Sequence, residues 1–541
     1  MAVLCCLSCV DKIEDKEDLL KKAGVESFYN PAAERQISQY GEIFACTIKT
    51  LAAYELEIVC DSDEEWVSFE KGQSGKAGFN QFRLSFRQNE TDQPRSAQMF
   101  ILVDGYPRTC IAVFSQANIM TEQERNIKLN KHMHERLMNE YLWAESYSAL
   151  NVDLTLDYRD FLSTYLLDLD DVNIEDGGYT KGLVSNPGQR FIYTNIQPVN
   201  QTTKAMTQTY GLGFGPFFAS YLSSDGSVWC LAVSYVHPGS PADKAGIRRG
   251  DAIYMVNGSY VDGDNYESYN NELYLRPNGN YSLTFFRNGE IGDGKEITAS
   301  IAAESYGYNP VLYCDIISDG VGYLILENFD LNCQSSLSEA INMLKSSGIS
   351  ELILDLRYNQ GGSVAQSRWL TSCIAGASRL NDVFAALVYN DGTRELWQYR
   401  GGPDDYDGLG IGPDLGLDRV FVIGSYYTAS AAEMVVNSLR GIGFNVCLIG
   451  GKTEGKNVGM TPSEVTADGV RYIFSPITFR IENAMGFSNY ADGLTPDVLL
   501  SDQDLEFDDD YIDAMFPYSF GDWMVPGANP PLDVALSMIS K

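Results

Sequence analysis

The stretch that most constrains the fold runs from Arg419 to Arg440. Val420 to Gly424 is an apolar run of strand length, and the small-residue turn Thr428-Ala429-Ser430 follows it. Ala432, Val435, Val436 and Leu439 then recur at the spacing of one helix face. Ser430 therefore falls where a helix begins, among N–H groups without intrahelical partners and at the positive end of the dipole. A hydroxyl at that point can attack a carbonyl, with the N–H of Ala431 receiving the oxyanion. A serine there can equally be a simple helix cap.

The surrounding pattern is strand, helix, strand, helix, and so α/β. Val321 to Leu326 reads as a strand, Leu337, Ala340, Ile341 and Leu344 as a helix face, and Leu352 to Leu354 as a buried strand. That strand runs into Asp355-Leu-Arg-Tyr-Asn-Gln-Gly-Gly362, with another helix expected from Ser363. Adjacent glycines at such a turn can present open N–H groups, so Gly361 and Gly362 form a second candidate oxyanion donor site.

A serine nucleophile needs a base. The chain has three histidines, His132, His134 and His237, all before residue 240. Downstream of Ser430, Val446 to Ile449 leads into the glycine-rich turn Gly450 to Gly459, which holds Lys452 and Lys456. Burial can bring a lysine down from its reference pKa of about 10.4 into the range of a base. The turn is not read as a phosphate loop, because Asn457 stands where Ser or Thr would have to follow the lysine.

The 541 residues suggest three or four domains. A net charge of −34 argues against partnership with nucleic acid. The 11 cysteines show no convincing zinc or redox spacing, so no metal and no cofactor is expected. No apolar run approaches the roughly 18 residues of a membrane span. Met1 to Cys9 is a short apolar leader, followed after Val10 by a charged tether, Asp-Lys-Ile-Glu-Asp-Lys-Glu-Asp. It resembles a Bacteroidetes lipoprotein signal with Cys9 as the acylated residue. That resemblance implies a lipid-anchored protein of the cell envelope, at the outer membrane or cell surface, touching membrane only through its anchor.

From about Asn30 to Asn118 short alternating strands such as Gln81 to Arg87 are separated by turns. Trp66-Val-Ser-Phe, Arg87-Gln-Asn, Arg95 and Phe114-Ser-Gln resemble BACON domains. The resemblance implies an immunoglobulin-like β-sandwich with a role in carbohydrate contact or as a spacer, and spacer is preferred. Thr121 to Glu124 fits a capping box opening a helix through Met133, Leu137, Tyr141 and Ala144, with a second helix at Tyr158 to Leu167. Tyr210-Gly-Leu-Gly-Phe-Gly215 and Ser240-Pro-Ala-Asp-Lys-Ala-Gly-Ile-Arg-Arg-Gly-Asp251, with a hairpin turn at Asn288-Gly289, resemble a PDZ domain. Gly211, Leu212, Gly213 and Phe214 would then hold a peptide C terminus.

Thr-Ala-Ser430-Ala-Ala-Glu, Gly-Lys-Thr-Glu-Gly-Lys456, Asp-Leu-Arg-Tyr-Asn-Gln-Gly-Gly362 and the closing Asp492-Gly-Leu-Thr-Pro-Asp497 together resemble the C-terminal processing (tail-specific) serine peptidases. The resemblance covers about residues 120 to 541. It implies a crotonase-like α/β core, Ser430 as nucleophile, Lys456 as general base, and oxyanion donors at Ala431 and Gly361 or Gly362. Met460 stands where many members have a glutamine that orients the lysine, and Gln360 replaces a frequent proline. Lys452 reads as a surface turn residue.

The expected architecture is therefore multidomain α/β and β. It comprises a signal and tether (1–29), a BACON-like sandwich (30–118), a helical lead-in (119–209), a PDZ domain (210–302) and a catalytic core (303–541). The expected function is a Ser-Lys serine endopeptidase acting on polypeptides through an acyl-enzyme. The alternatives are a non-catalytic peptide- or glycan-binding surface lipoprotein on the same scaffold, and another acyl hydrolase using the same dyad.

Overall fold

The computed structural model describes residues 16–29, 34–61, 65–91, 93–167, 169, 192–199, 208–215, 217–221, 228–275, 279–287, 295–400, 408–500 and 529–540. Cys9 and the Asn288-Gly289 turn lie outside these residues.

The strand ending before Ser430 is central to a six-stranded sheet. Its order is Val311–Ser318, Val321–Leu326, Glu351–Asp355, Arg419–Gly424, Asn445–Gly450 and Val498–Leu499. The first pair is antiparallel and the rest are parallel. The continuous apolar runs follow from burial on both faces. Leu352, Leu354, Val420 and Val422 join the large core beneath helices Gln334–Ser346, Val364–Ala375 and Ala431–Gly441. The alternate residues Ile353, Phe421 and Ile423 face the opposite side, where Leu532 and Ala535 of helix Pro530–Ile539 cover them.

A second sheet flanks the core, in the order Arg394–Gln398, Val383–Tyr389, Ile477–Glu482, Val458–Met460. A third sheet sets Asn195–Pro198 beside Val470–Ser475 and Ser463–Ala467. Helix Glu122–Glu140 opens with the capping box on Thr121 and Glu124. It stops at Tyr141, whose ψ of 137° is extended, so the expected single helix through Ala144 is broken. The Leu142 N–H instead pairs with the carbonyl of Ile477, and a separate short helix runs Ala144–Ser148. Helix Tyr158–Leu166 falls where expected.

Phe217–Tyr221, Trp229–Val233, Ala252–Val256, Asn280–Arg287 and Lys295–Ala302 form an antiparallel sheet in that order, with Phe217–Tyr221 at one edge. The strand Gln208–Gly211 stands outside that sheet and pairs with Glu304–Gly307. Between Val25 and Gln116, two β-sheets enclose an apolar core that includes Trp66, Phe82, Phe86 and Phe114. Arg95 lies over the Trp66 ring and gives its Nε–H to Gln116 at 2.8 Å, closing one end of that core.

This N-terminal β-domain is docked on the third sheet. At the hairpin turn between Ser463–Ala467 and Val470–Ser475, Asp468 accepts bonds from Gln39 Nε2 (2.7 Å), Tyr40 Oη (2.8 Å) and the Met120 N–H (3.0 Å). Asp468 itself has φ of 51° and is 8% exposed. A buried carboxylate with three donors is a specific latch.

Candidate active site

Ser430 follows the strand Arg419–Gly424 and its turn, and immediately precedes helix Ala431–Gly441. Its backbone is at φ 54° and ψ −119°, one of three non-glycine residues with positive φ among the described residues. Helix caps sit in the extended region, so Ser430 is not an ordinary cap. Holding such a conformation stores roughly 1–3 kcal/mol of strain that the surroundings must offset.

The surroundings are the loop after Asp355. Leu356 accepts the Thr428 hydroxyl at 2.8 Å, Arg357 accepts the Ser425 hydroxyl, and Asn359 accepts the Ala429 N–H at 3.0 Å. The loop is anchored below by a fully buried ion pair, Arg357 Nη2 to Asp355 Oδ2 at 2.7 Å, with Tyr323 donating to the same carboxylate. Two segments expected separately as oxyanion sites are thus stitched into one unit.

The glycines explain their own presence. A Cβ on Gly361 would lie 2.8 Å from Ser430 Cβ and 3.0 Å from the Ala431 nitrogen. A Cβ on Gly362 would lie 2.2 Å from the Phe329 carbonyl oxygen. Both have positive φ, 102° and 120°. The Gly361 N–H is committed to Asn359 Oδ1 at 2.9 Å, which turns the next peptide N–H, that of Gly362, into the candidate donor beside Ala431.

Lys456 belongs to the same assembly through Glu433. This carboxylate is buried and accepts the N–H groups of Ser430 (2.8 Å), Gly455 (2.8 Å) and Lys456 (2.9 Å), and the Thr453 hydroxyl (2.6 Å). Burial raises its pKa to about 7, against the lowering effect of those donors. The Lys456 ammonium lies 4.6 Å from the centre of the Tyr193 ring. Tyr193 donates its hydroxyl to Glu454 Oε1 at 2.7 Å. Lys452 is exposed, as expected of a surface turn residue.

The histidines are engaged elsewhere. His132 pairs with Ser463, His134 with Tyr147, and His237 with Tyr306 and Glu327. Among the described residues, no group of metal-ligating side chains could hold an ion, and no helix is long and apolar enough to cross a membrane.

The expected peptide loop, Gly211 to Phe214, is separate from Ser430 but linked to it. Leu212 and Phe214 are buried, and the Gly213 carbonyl accepts the His237 N–H at 2.8 Å. Tyr235 fills the space beside Gly215 and packs on Tyr358, with ring centres 5.6 Å apart. Arg249 donates to the Tyr358 hydroxyl at 2.7 Å, and Tyr358 lies next to Asn359 of the loop after Asp355.

Residues 320–500 match the model of peptidase family S41, and residues 232–283 match a PDZ domain model. The chain carries a peptidase family S41 domain. This S41 domain contains the Gly361–Gly362 turn, Ser430, Glu433 and Lys456. The chain is 27% identical over 307 residues to the carboxy-terminal processing protease CtpA of Bacillus subtilis, covering 57% of this chain and 60% of that protein. It is 26% identical over 253 residues to the chloroplastic carboxyl-terminal-processing peptidase 2 of Arabidopsis thaliana, covering 44% of each. The chain thus spans about half to three-fifths of the length of these curated relatives. A solved structure from Bacteroides fragilis NCTC 9343, assigned to the S41 proteases, superposes with a TM-score of 0.57 at 24% identity. It covers 76% of this chain and 97% of its own, and it shows the S41 domain's fold.

The sequence reading gave no role to Glu433, Asn359, Tyr193 or Glu454, although all but Tyr193 stand inside the quoted motifs. Only Glu433 carried a signal, the Ser-x-x-Glu spacing of a capping box.

Proposed function

We propose that the protein is a serine endopeptidase in which Ser430 is the nucleophile and Lys456 the general base. The observation that carries this reading is the strained backbone of Ser430, at φ 54° on a helix N terminus, with Gly361 packed closely against both Ser430 and the Ala431 nitrogen. Strain of this kind persists where the surroundings over-determine it, and such places cluster at active sites. In the proposed reaction, neutral Lys456 takes the Ser430 proton as Oγ bonds to the substrate carbonyl carbon. The N–H groups of Ala431 and Gly362 receive the oxyanion. The ammonium returns its proton to the leaving amine as the C–N bond breaks, and water then hydrolyses the acyl-enzyme.

The PDZ domain recognises substrate C termini in this reading, a peptide adding as a strand along the edge strand Phe217–Tyr221. Polypeptides are the substrates, and the core is crotonase-like. A BACON-like identity for the N-terminal β-domain and acylation at Cys9 in a cell-envelope protein belong to the same reading. Loss of radiolabelled palmitate incorporation in Cys9→Ala tests the acylation.

The deciding experiment treats the full chain with a fluorescent fluorophosphonate and with unfolded casein. Labelling at Ser430 and casein cleavage, both lost in Ser430→Ala and Lys456→Ala, are expected. Casein cleavage that survives Ser430→Ala removes the assignment. The apolar Met460 favours a second reading, a binding protein on the same scaffold. It predicts tail peptides that bind while Ser430 never reacts.

A further inference from the structure

The dyad reading needs a residue that holds Lys456, and this inference rests on that reading. Four residues beyond the lysine, Met460 is an apolar side chain packed in the cluster that the lead-in forms with Val458, Phe474 and Ile477. Its thioether is only a weak acceptor for an amine. The same cluster contains Tyr193, whose ring centre lies 4.6 Å from Lys456 Nζ.

Tyr193 is itself fixed at three points. Its hydroxyl donates to Glu454 at 2.7 Å, and its carbonyl accepts Asn195 Nδ2 at 2.8 Å. The next residue, Thr194, is 2% exposed and accepts the Ile477 N–H at 3.1 Å. Glu454 is tied back to the serine turn, its N–H bonding the Thr428 carbonyl at 3.0 Å. Tyr426 also bonds the Glu454 side chain.

We infer that Tyr193 is the positioning residue for Lys456, its ring face steering the amine and stabilising the ammonium formed when the lysine takes the serine proton. An aromatic face favours a cation over a neutral amine. The contact is therefore strongest when Lys456 carries the proton, between attack and departure of the leaving amine. Ionisable groups facing this corner among the described residues include Glu454 on the Tyr193 hydroxyl, Tyr426 on Glu454, and Glu433 on the Lys456 N–H. From phenylalanine through its fluorinated forms the hydroxyl is absent throughout, so only the ring face changes along that series.

The test follows the rate of Ser430 labelling by the fluorophosphonate against pH in the full chain. Tyr193→Phe keeps the face and should label within about threefold of the parent, while Tyr193→Leu should label about tenfold or more slowly. The acid limb of Tyr193→Leu should move about half to one pH unit lower, because the protonated lysine has lost its ring. Fluorinated phenylalanines at position 193 keep the shape and weaken the face, so the limb should step down with fluorine number. This series reads the effect even if Tyr193→Leu does not fold. An acid limb that stays fixed from phenylalanine through the fluorinated rings overturns the inference alone. Absence of any Ser430 labelling in the parent brings down the dyad reading, and the inference with it.

Discussion

Ser430 and Lys456 donate their backbone N–H groups to one and the same oxygen, Oε2 of Glu433. The two nitrogens can therefore stand no further apart than those two hydrogen bonds allow. A helix, a strand and a turn separate them in sequence, yet a single buried carboxylate sets their spacing. The Ser430, Gly455 and Lys456 N–H groups and the Thr453 hydroxyl all donate to Glu433, so the pocket is built for an acceptor.

Glu433→Gln should therefore damage the site without emptying it. An NH₂ group replaces one acceptor oxygen and faces N–H donors. On the dyad reading, Ser430 labelling should fall by about 100-fold or more, the scale of a displaced catalytic group. Circular dichroism should stay unchanged.

The same residue should leave a mark on stability. Its folded pKa of about 7 is above the unfolded carboxyl value. The native state then holds the extra proton between those two values, so this contribution is full in acid and is lost as pH rises through about 7. Urea unfolding of the parent should lose about 3 kcal/mol relative to Glu433→Gln between about pH 4.3 and pH 7.5. Parallel pH profiles for the two proteins would refute the shift.

Backbone strain at Ser430 can be measured by comparing two inactive variants. Glycine adopts positive φ freely and alanine does not. Ser430→Gly should unfold at a higher urea concentration than Ser430→Ala, by about 1 kcal/mol. Equal midpoints would mean that φ 54° carries no strain.

Gly362→Ala should be more disruptive to the fold than Gly361→Ala. Its Cβ would meet a backbone oxygen at 2.2 Å, whereas that of Gly361 first meets Ser430 Cβ at 2.8 Å. Thermal scans should show the larger loss for Gly362→Ala. On the dyad reading, Gly361→Ala should stay folded while Ser430 labelling drops by about tenfold or more, since a few tenths of an ångström at a nucleophile are felt in rate.

The latch on Asp468 predicts an effect confined to docking. Gln39→Ala with Tyr40→Phe removes the side-chain donors and leaves the positive φ of Asp468 untouched. A scanning calorimeter should resolve an N-terminal transition that separates from the main one. Ser430 labelling should be unchanged.

What could be seen in the sequence was whatever rests on local periodicity or a required residue type. The strand Arg419–Gly424, the helix after Ser430 and the Thr121–Glu124 box are of this kind. So is the glycine pair, since no other residue fits at 361 and 362. The break at Tyr141 was not visible, because the apolar spacing continues through it while a tertiary bond from Leu142 to Ile477 decides the backbone. Tyr193 was invisible for a related reason. Its meaning depends on a lysine 263 positions later, and no spacing rule relates the two. Choosing between Gly361 and Gly362 needed the Asn359 side chain, which consumes one of the two N–H groups.

The Asp468 latch bears on degrees of freedom. A domain joined only by a linker can swing, so holding it fixes a distance and nothing else. Here the N-terminal β-domain is clamped to the sheet that runs on to Asn195–Pro198, next to Tyr193. Any attachment made through that domain would set the compass bearing of the S41 domain as well as its reach.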